Sequence, residues 1–67
     1  MSMLKVIEVL AESEKSWEDA AENAVRQAVK TLEGVKSIYV ENFEATVDDD
    51  GKIEKYRINA KITFVLK

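Results

Sequence analysis

Apolar residues recur at steps of three and four between residues 16 and 34, the one helix candidate of this chain. They are Trp17, Ala20, Ala21, Ala24, Val25, Ala28, Val29 and Leu32. The spacing draws one stripe down an α-helix, and the alanines in it let a packing partner come close. Ser16 is a preferred N-cap residue, and Asp19 stands where a capping box has Glu or Gln. Gly34 can take the left-handed conformation that closes a helix, so we predict a helix over residues 16–34.

Three other segments carry strand patterns. Residues 4–11 are rich in Val, Ile and Leu and precede a polar connection at 12–15, and residues 35–47 form a long β-rich run. The acidic residues 48–50 and Gly51 form a hairpin turn signal, and residues 52–66 then alternate between apolar and polar side chains. The two parities are Tyr56, Ile58, Ala60, Ile62, Phe64 and Leu66, and Lys55, Arg57, Asn59, Lys61 and Thr63. One face of this last strand is therefore expected on a core.

The order β-α-β-β restricts how these elements assemble. A hairpin pairs the second and third strands, and the first strand can pair antiparallel only with the third. We therefore predict an α+β fold with a three-stranded antiparallel sheet in the order 1-3-2. A right-handed crossover places the helix on one sheet face, against the apolar parity of the third strand. Arg57, Asn59 and Lys61 then lie on the face away from the helix.

The second strand changes its apolar parity near Glu41 and Asn42. The two sets are Ile38 and Val40, and Tyr39, Phe43, Ala45 and Val47. A β-bulge produces such a change, and burial of both strand faces produces it as well. Because one helix cannot cover both faces of a three-stranded sheet, we expect the uncovered side to be an oligomer interface.

The length of 67 residues fits a single domain over residues 1–67. So short a chain buries only about 60% of its unfolded surface, and small domains usually add disulfides, a metal or partner subunits. The chain has no Cys and no His. Disulfides and Ser-His or Cys-His nucleophile pairs are therefore excluded, and zinc and iron–sulfur sites nearly so. Subunit association is the means of stabilisation that is left.

The net charge of −3 comes without the basic stripe that nucleic-acid binders carry. Lys5 and Glu8 interrupt the first apolar run, so we expect no signal peptide, and no segment approaches the roughly 20 apolar residues of a membrane span.

Glu18 and Glu22 lie on the polar helix face, where ion pairing with Arg26 explains them better than catalysis does. We expect a cytoplasmic protein that is not an enzyme and binds neither nucleic acid nor membrane.

The two ends of the chain carry further signatures. The opening LKVIEVLAES-EKSWEDAAENAV and the ending KYRINAKITFVL resemble the dodecins, small flavin-binding proteins of bacteria and archaea. They look like that family's first strand, Ser-rich turn, Ala-rich helix with an aromatic start, and last strand. The resemblance implies a strongly bent sheet that partly wraps the helix. It also implies a hollow homododecamer of cubic symmetry, assembled from trimers.

The flavin contacts of that family fall on altered residues in this chain. Dodecins stack the flavin on a Trp just after the helix, a position that Ser37 occupies here. The Gln that hydrogen-bonds the flavin ring edge falls on Arg57, which follows Tyr56. The resemblance thus implies a site at Ser37, Arg57 and the nearby Tyr39 for riboflavin or flavin mononucleotide (FMN). Because stacking on an aromatic side chain is worth about 1–3 kcal/mol, its loss predicts an affinity weaker by about one to two decades.

Trp17 and Arg57 each have a second interpretation. The helical spacing of Trp17, the only tryptophan, fits a hydrophobic anchor at the helix start rather than a stacking residue. Arg57 offers a planar fork that suits carboxylate or phosphate. Near a symmetry axis it would instead pair with an acidic residue such as Glu41 or Glu44 of another chain.

Two further groups of side chains could either bind a ligand or have a purely structural role. Tyr39 and Phe43 form an aromatic platform or part of a subunit interface. Asp48, Asp49 and Asp50 supply the oxygen ligands that Ca²⁺ and Mg²⁺ prefer, but they lack the spacing of an EF-hand loop. An acidic hairpin turn is usually just solvated, although symmetry could gather carboxylates from several subunits.

These patterns lead to two functional hypotheses. The first is a dodecin-like shell that binds or stores a small ligand, flavin-type by resemblance, with Ca²⁺ or Mg²⁺ as other candidates. The second is a structural oligomer without a small-molecule role.

Overall fold

The computed structural model describes residues 3–66. Strand β1 (Met3–Ser13), helix α1 (Trp17–Thr31), strand β2 (Val35–Val47) and strand β3 (Ile53–Leu66) follow one another along the chain. The predicted α+β fold is confirmed: the three strands form one antiparallel sheet in the order β1-β3-β2. Within residues 3–66 there is no helix with the length and apolarity needed to cross a bilayer.

Strand β1 is longer than its apolar run. Residues 12 and 13, expected in the connection, continue the ladder, with Glu12 opposite Arg57 and Ser13 opposite Tyr56. The Ser13 hydroxyl is buried and accepts hydrogen bonds from the backbone N–H groups of Lys15 and Ser16 at 2.9 and 3.4 Å. These hydrogen bonds at the polar end of β1 therefore hold the turn that leads from the strand to the helix.

Ser16 caps α1 as predicted, because its Oγ accepts the Asp19 backbone N–H at 2.9 Å. The second half of the expected capping box is different. The Asp19 carboxylate does not reach back to Ser16 but accepts the Ser13 hydroxyl at 2.6 Å, and this hydrogen bond lowers the pKa of Asp19. Ser13 thus links the end of β1 to the first turn of α1.

The predicted end of the helix at Gly34 is wrong by three residues, since α1 ends at Thr31. Leu32 is already extended, and its N–H still bonds the Ala28 carbonyl at 2.8 Å. Gly34 does have a positive φ of 67°, but its carbonyl accepts the Val65 N–H at 3.0 Å. This glycine therefore begins the pairing of β2 with β3 and does not cap the helix.

The core lies between α1 and one face of the sheet, here called the inner face. Ala20 and Ala60 are completely buried, and Ile58 and Ile62 are 1% exposed. The alanine stripe thus meets the apolar parity of β3, as the sequence predicts. The close approach is possible because small side chains stand on both sides of the contact.

One of the two explanations for the parity change, a β-bulge in β2, is present. The register with β3 shifts between Val40 and Asn42, which leaves Glu41 as the extra residue. Val40 lies opposite Ala60 before the shift, and Phe43 lies opposite Ile58 after it. Both are therefore on the inner face although their parities differ, which accounts for the change of apolar pattern.

The contact at Gly34 gives a test of the fold. An Ala Cβ at this position would lie 3.1 Å from the Val65 Cβ, whereas nothing lies within 4 Å of one at Gly51, whose φ is 82°. Left-handed backbone costs a non-glycine residue about 1–2 kcal/mol at either site. We therefore expect Gly34→Ala to lower the free energy of unfolding more than Gly51→Ala, measured by urea denaturation at one protein concentration. Equal losses would show that the Val65 contact has no energetic weight.

Candidate functional site

The outer face of the sheet is the side away from α1. It consists of Lys55, Arg57, Asn59, Lys61, Thr63 and Val65 of β3 and the residues opposite them on β1 and β2. Four large apolar side chains on this side are more than half exposed: Leu4, Val6, Leu10 and Tyr39. Two rows of charged residues cross the sheet among them. The outer face therefore combines unburied apolar area with ordered charge.

Arg57 lies at the centre of the first charged row. Its Nε donates to Glu12 Oε2 on β1 at 2.7 Å, and its Nη2 lies 2.6 Å from the same oxygen. Its Nη1 donates to Glu44 Oε1 on β2 at 3.3 Å. All three guanidinium nitrogens thus face a carboxylate. Within one chain Arg57 already pairs with Glu44, which stands directly opposite it in the same sheet, and pairing with Glu41 or Glu44 of another chain stays a prediction.

This pairing alters the protonation of both partners. The hydrogen bond from Arg57, aided by the charges of Arg57 and Lys55, holds the pKa of Glu12 below its ordinary value of 4.5. Hydrogen bonds to Glu12 and Glu44 raise the pKa of Arg57 in turn. The lowered pKa favours the charged form of Glu12, so its ion pair with Arg57 persists at neutral pH.

A second charged row runs parallel to the first. Lys61 Nζ lies 3.3 Å from Glu41 Oε1 on β2, and Glu8 stands opposite Lys61 on β1. Glu41 is the bulge residue, so the bulge brings its carboxylate to Lys61. Each row therefore has a cation of the central strand flanked by glutamates of the two edge strands.

A polar row with an open recess separates the charged rows. Asn59 lies opposite Leu10 on β1 and Asn42 on β2. The Asn59 Oδ1 is buried and has no hydrogen-bond partner among residues 3–66. A recess of about 370 Å³ lies here, lined by Leu10, Asn42, Phe43, Glu44, Arg57 and Asn59. A buried acceptor without a donor beside a recess is a position where a bound group would complete the hydrogen bonding.

The structure does not bring the predicted site residues together within one chain. Ser37 lies opposite Thr63, and Tyr39 lies opposite Lys61. Thr63 is six residues along β3 from Arg57, a separation of about 20 Å at 3.3 Å per residue. Ser37 and Tyr39 form one end of the outer face, and Arg57 lies toward the other end.

The proposed platform of Tyr39 and Phe43 is not formed. The bulge between them turns Phe43 to the inner face, where its ring centroid lies 5.8 Å from that of Trp17. Trp17 also meets Tyr56 edge-on at 4.8 Å and donates its Nε1–H to the Glu44 carbonyl at 2.9 Å. Trp17 is therefore the anchor of the helix start, as its spacing predicts.

The acidic turn holds itself together. Asp48 Oδ1 accepts the backbone N–H groups of Asp50 and Lys52 at 2.9 and 3.0 Å. This carboxylate is thus engaged in the turn, while Asp49 and Asp50 are exposed. Across residues 3–66 no group of three or more acidic side chains is placed to hold a metal ion.

A larger recess of about 470 Å³ lies between α1 and β1, away from these residues. Its walls are largely apolar and include Ile7, Val9, Ala24, Ala28 and Leu32. The single helix leaves this groove open because it does not fill the width of the inner face.

Sequence reasoning missed Glu12 and Asn59 as members of the site. The apolar run stops at Ala11, so the pattern predicts Glu12 in the connection after the strand. Asn59 was assigned to the correct face, but its isolated acceptor depends on neighbours from two other strands. The signal that was available for Glu12 is parity, since it continues the even-numbered side of β1 that holds Glu8 and Leu10.

Comparison with known proteins identifies close relatives of this chain. The family model described as Dodecin matches residues 3–67. The calcium dodecin of Mycobacterium tuberculosis is 36% identical over 67 residues, which cover all of this chain and 93% of that protein.

Solved structures agree with this relationship. An arginine-to-alanine variant of the dodecin from Thermus thermophilus superposes with a TM-score of 0.92 at 25% identity, covering 100% of this chain and 98% of the other. The dodecin of Streptomyces coelicolor gives 0.93 at 26% identity, with 98% and 93% covered. The calcium dodecin of M. tuberculosis, solved with a calcium-binding site, gives 0.86 at 35% identity with the same coverage.

The pKa of Glu12 predicts how acid acts on this site. Because that pKa is lower in the folded chain, the row stabilises the fold fully above the unfolded pKa and loses this effect as pH falls below 4.5. We expect Glu12→Gln to flatten the loss of unfolding free energy between about pH 5 and pH 3. The control is Glu8→Gln, four residues along the same strand and opposite Lys61. Parallel pH curves for the wild type and Glu12→Gln would contradict the assignment.

Proposed function

The chain belongs to the dodecin family, and from that premise we propose that it is a self-associating protein that binds a small ligand and catalyses no reaction. The outer face is the observation that carries this proposal. Leu4, Val6, Leu10 and Tyr39 are 58, 53, 71 and 64% exposed there, beside the ordered row around Arg57. Exposed apolar side chains rimmed by polar groups are typical of binding and assembly surfaces.

Self-association follows from how little the chain buries alone. Among residues 3–66, the buried hydrophobic side chains are Ala20, Ala28, Ile58, Ala60 and Ile62. The outer face and the groove between α1 and β1 leave further apolar area in water. Contact with other copies would cover both, and the family resemblance favours a homododecamer built from trimers. We propose that the one-domain chain works in this form in the cytoplasm.

A flavin is the first candidate ligand, and the residues present fit it in part. Tyr39 is an exposed aromatic side chain two residues from Ser37 and on the same face, so it can offer the stacking ring that Ser37 lacks. Arg57 can donate to the edge of the ring. Because Tyr39 stands opposite Lys61, four residues and about 13 Å along β3 from Arg57, we propose that the two residues hold one flavin as contributions from different subunits. Riboflavin and FMN both remain candidates.

The assembly can be tested by light scattering after size-exclusion chromatography. We expect a mass about twelve times the 7.6 kDa of one chain. Val6→Lys places a charge on the apolar outer face and should dissociate the assembly, because an unpaired buried charge is costly. Asp49→Lys, in the exposed hairpin turn, is the matched control and should leave the mass unchanged. A monomeric wild type would contradict the proposal.

Ligand binding can be tested by titrating riboflavin and following flavin fluorescence or heat. We expect Tyr39→Leu to weaken binding by about tenfold through the loss of a stacking ring. Tyr39→Phe keeps the ring and should bind like the wild type. Equal affinities for the two variants would remove Tyr39 from the site. An intact oligomer that binds neither riboflavin nor FMN would favour the structural-oligomer alternative.

A second candidate ligand is a divalent cation, which the relationship to a calcium dodecin favours. The candidates from this chain are two carboxylates of the hairpin turn, Asp48, whose Oδ1 is bonded within the turn, and Asp50, which is exposed. A site of adequate ligand number would need carboxylates from more than one subunit, since Ca²⁺ takes six to eight oxygens. Mg²⁺ demands stricter geometry and sheds its waters reluctantly, so we propose Ca²⁺ first.

Calorimetric titration of the oligomer with CaCl₂ tests this candidate. We expect saturable binding that is stronger than binding of MgCl₂ and that Asp50→Asn weakens by removing one charged ligand. Glu22→Gln, on the polar face of α1, serves as the control. Calcium binding that is the same in wild type and Asp50→Asn would move the cation site away from the hairpin turn.

A further inference from the structure

We infer that the hydrogen bond between Ser13 and Asp19 is a latch for the start of α1: when it breaks, the first turn of the helix and Trp17 separate from the sheet while the three strands stay paired. The latch lies where β1 passes into α1. It depends on neither a ligand nor an assembly, so it goes beyond the proposed function.

The Ser13 hydroxyl is a buried centre of hydrogen bonding. Among residues 3–66, the one buried polar side chain is that of Ser13. Its oxygen accepts the N–H groups of Lys15 and Ser16, and its proton goes to Asp19 Oδ2 at 2.6 Å. A hydroxyl has one donor and two acceptor positions, so its capacity is filled. Without the Asp19 carboxylate, a buried donor is left unpaired, which is costly.

The other partners of the Asp19 carboxylate lie on the helix. Oδ2 also accepts Asn23 Nδ2 at 3.2 Å, and Arg26 Nη2 donates to Asn23 Oδ1 in turn. The hydrogen bond from Ser13 is the largest cause of the lowered pKa of Asp19, and the charges of Lys15 and Arg26 lower this pKa further. The carboxylate therefore joins the end of β1 to two turns of α1.

Ionisable side chains of the sheet near the latch have other contacts or are exposed. They are Glu12, Glu14, Glu44, Lys55 and Tyr56. Arg57 binds the carboxylates of Glu12 and Glu44 on the outer face, and Lys55 Nζ lies 3.7 Å from Glu12. Tyr56 packs on Trp17, and Glu14 is exposed. Asp19 is thus the carboxylate whose protonation acts on the latch.

The helix start is held to the sheet by little besides the latch. The buried residues of α1 are Ala20 and Ala28, so the core begins one turn after the N-cap. Ahead of Ala20, the apolar contact is that of Trp17 with Tyr56 and Phe43, and Phe43 remains 63% exposed. The first turn can therefore separate without loss of the buried core or of the β1–β3 ladder, which is a local opening.

Separation of the first turn reaches the outer face through Glu44. Trp17 donates its Nε1–H to the Glu44 carbonyl, and the Glu44 carboxylate accepts from Arg57. Release of Trp17 leaves that carbonyl without the indole and exposes the rings of Phe43 and Tyr56. The latch thus couples the start of the helix to the charged row on the other side of the sheet.

Acid tests the latch, because a protonated Asp19 is a weaker acceptor. The pKa of Asp19 is lower in the folded chain than its ordinary value of 3.8, so the latch is formed above pH 3.8 and is lost as pH falls below it. Trp17 is the only tryptophan, so quenching of its fluorescence by acrylamide reports on the first turn. We expect this quenching to rise at a higher pH than the one at which far-ultraviolet circular dichroism is lost.

Variants test the two sides of the latch separately. Asp19→Asn keeps an acceptor oxygen that does not titrate, so it should remove the acid-induced rise in quenching. Glu18→Gln, an exposed neighbour in the same turn, is the matched control and should keep the wild-type pH profile.

Ser13→Ala removes the donor and should open the latch at pH 7. The hydrogen-exchange rate of the Asp19 backbone N–H, which bonds Ser16 Oγ, should rise about tenfold because a hydrogen bond to a charged group is lost. Ser13→Thr keeps the hydroxyl and should restore the slow exchange. Should Ser13→Ala fail to fold, Asn23→Ala removes the weaker donor and should move the acid-induced rise in quenching to higher pH.

Two results would overturn the inference. In the first, quenching and circular dichroism of the wild type change together at every pH, which means that the first turn opens only on global unfolding. In the second, the acid-induced rise persists unchanged in Asp19→Asn. Neither result bears on the oligomer mass or on flavin titration, so the proposed function is tested independently.

Discussion

The close contact between the alanine stripe of α1 and the inner face of β3 governs the rest of the structure. Ala20 and Ala60 have no exposed area, so the helix lies as near to the sheet as two small side chains permit. This close packing of small side chains allows a very short chain to form a core. It also means that one helix of 15 residues is the only layer over the sheet within residues 3–66. The outer face and the α1–β1 groove are therefore left for other contacts.

Side chains on the two faces of β3 are accommodated in different ways. On the inner face, apolar side chains are removed from water by the helix. On the outer face, charged side chains pair across the sheet, with Arg57 between Glu12 and Glu44 and Lys61 beside Glu41. Exposed ion pairs contribute little to stability individually. Their main consequence here is positional, because they fix where charge lies on a surface that also carries Leu10 and Tyr39.

Glu44 connects the two faces. Its carboxylate accepts a hydrogen bond from the Arg57 guanidinium on the outer face. Its backbone carbonyl accepts a hydrogen bond from the Trp17 indole N–H at the start of α1. The helix anchor and the candidate ligand site therefore share one residue of β2. The bulge at Glu41 makes this possible, since it turns Phe43 toward Trp17 while Glu44 faces outward. A local irregularity of one residue thus sets both the core and the site.

The secondary-structure elements, their order and the face of β3 that meets the helix can all be predicted from the amino-acid sequence. These follow from periodicities of neighbouring residues: the three-and-four spacing in α1, the alternation in β3 and the parity change that marks the bulge in β2. Even the packing role of Trp17 could be read from its place in the helical stripe. Such local patterns survive folding because the same side chains that create them become the core.

The composition of the candidate site depends on strand pairing that the sequence pattern does not reveal. Glu12 belongs to β1 because Arg57 stands opposite it, and Gly34 serves the sheet because its carbonyl meets Val65, although the chain pattern assigned both elsewhere. The same ladder sets Ser37 about 20 Å from Arg57 along the outer face. Pairing of strands distant in sequence depends on register, and one bulge offsets every residue that follows it. Periodicity identifies the face on which a side chain lies, whereas only the folded register decides its partners.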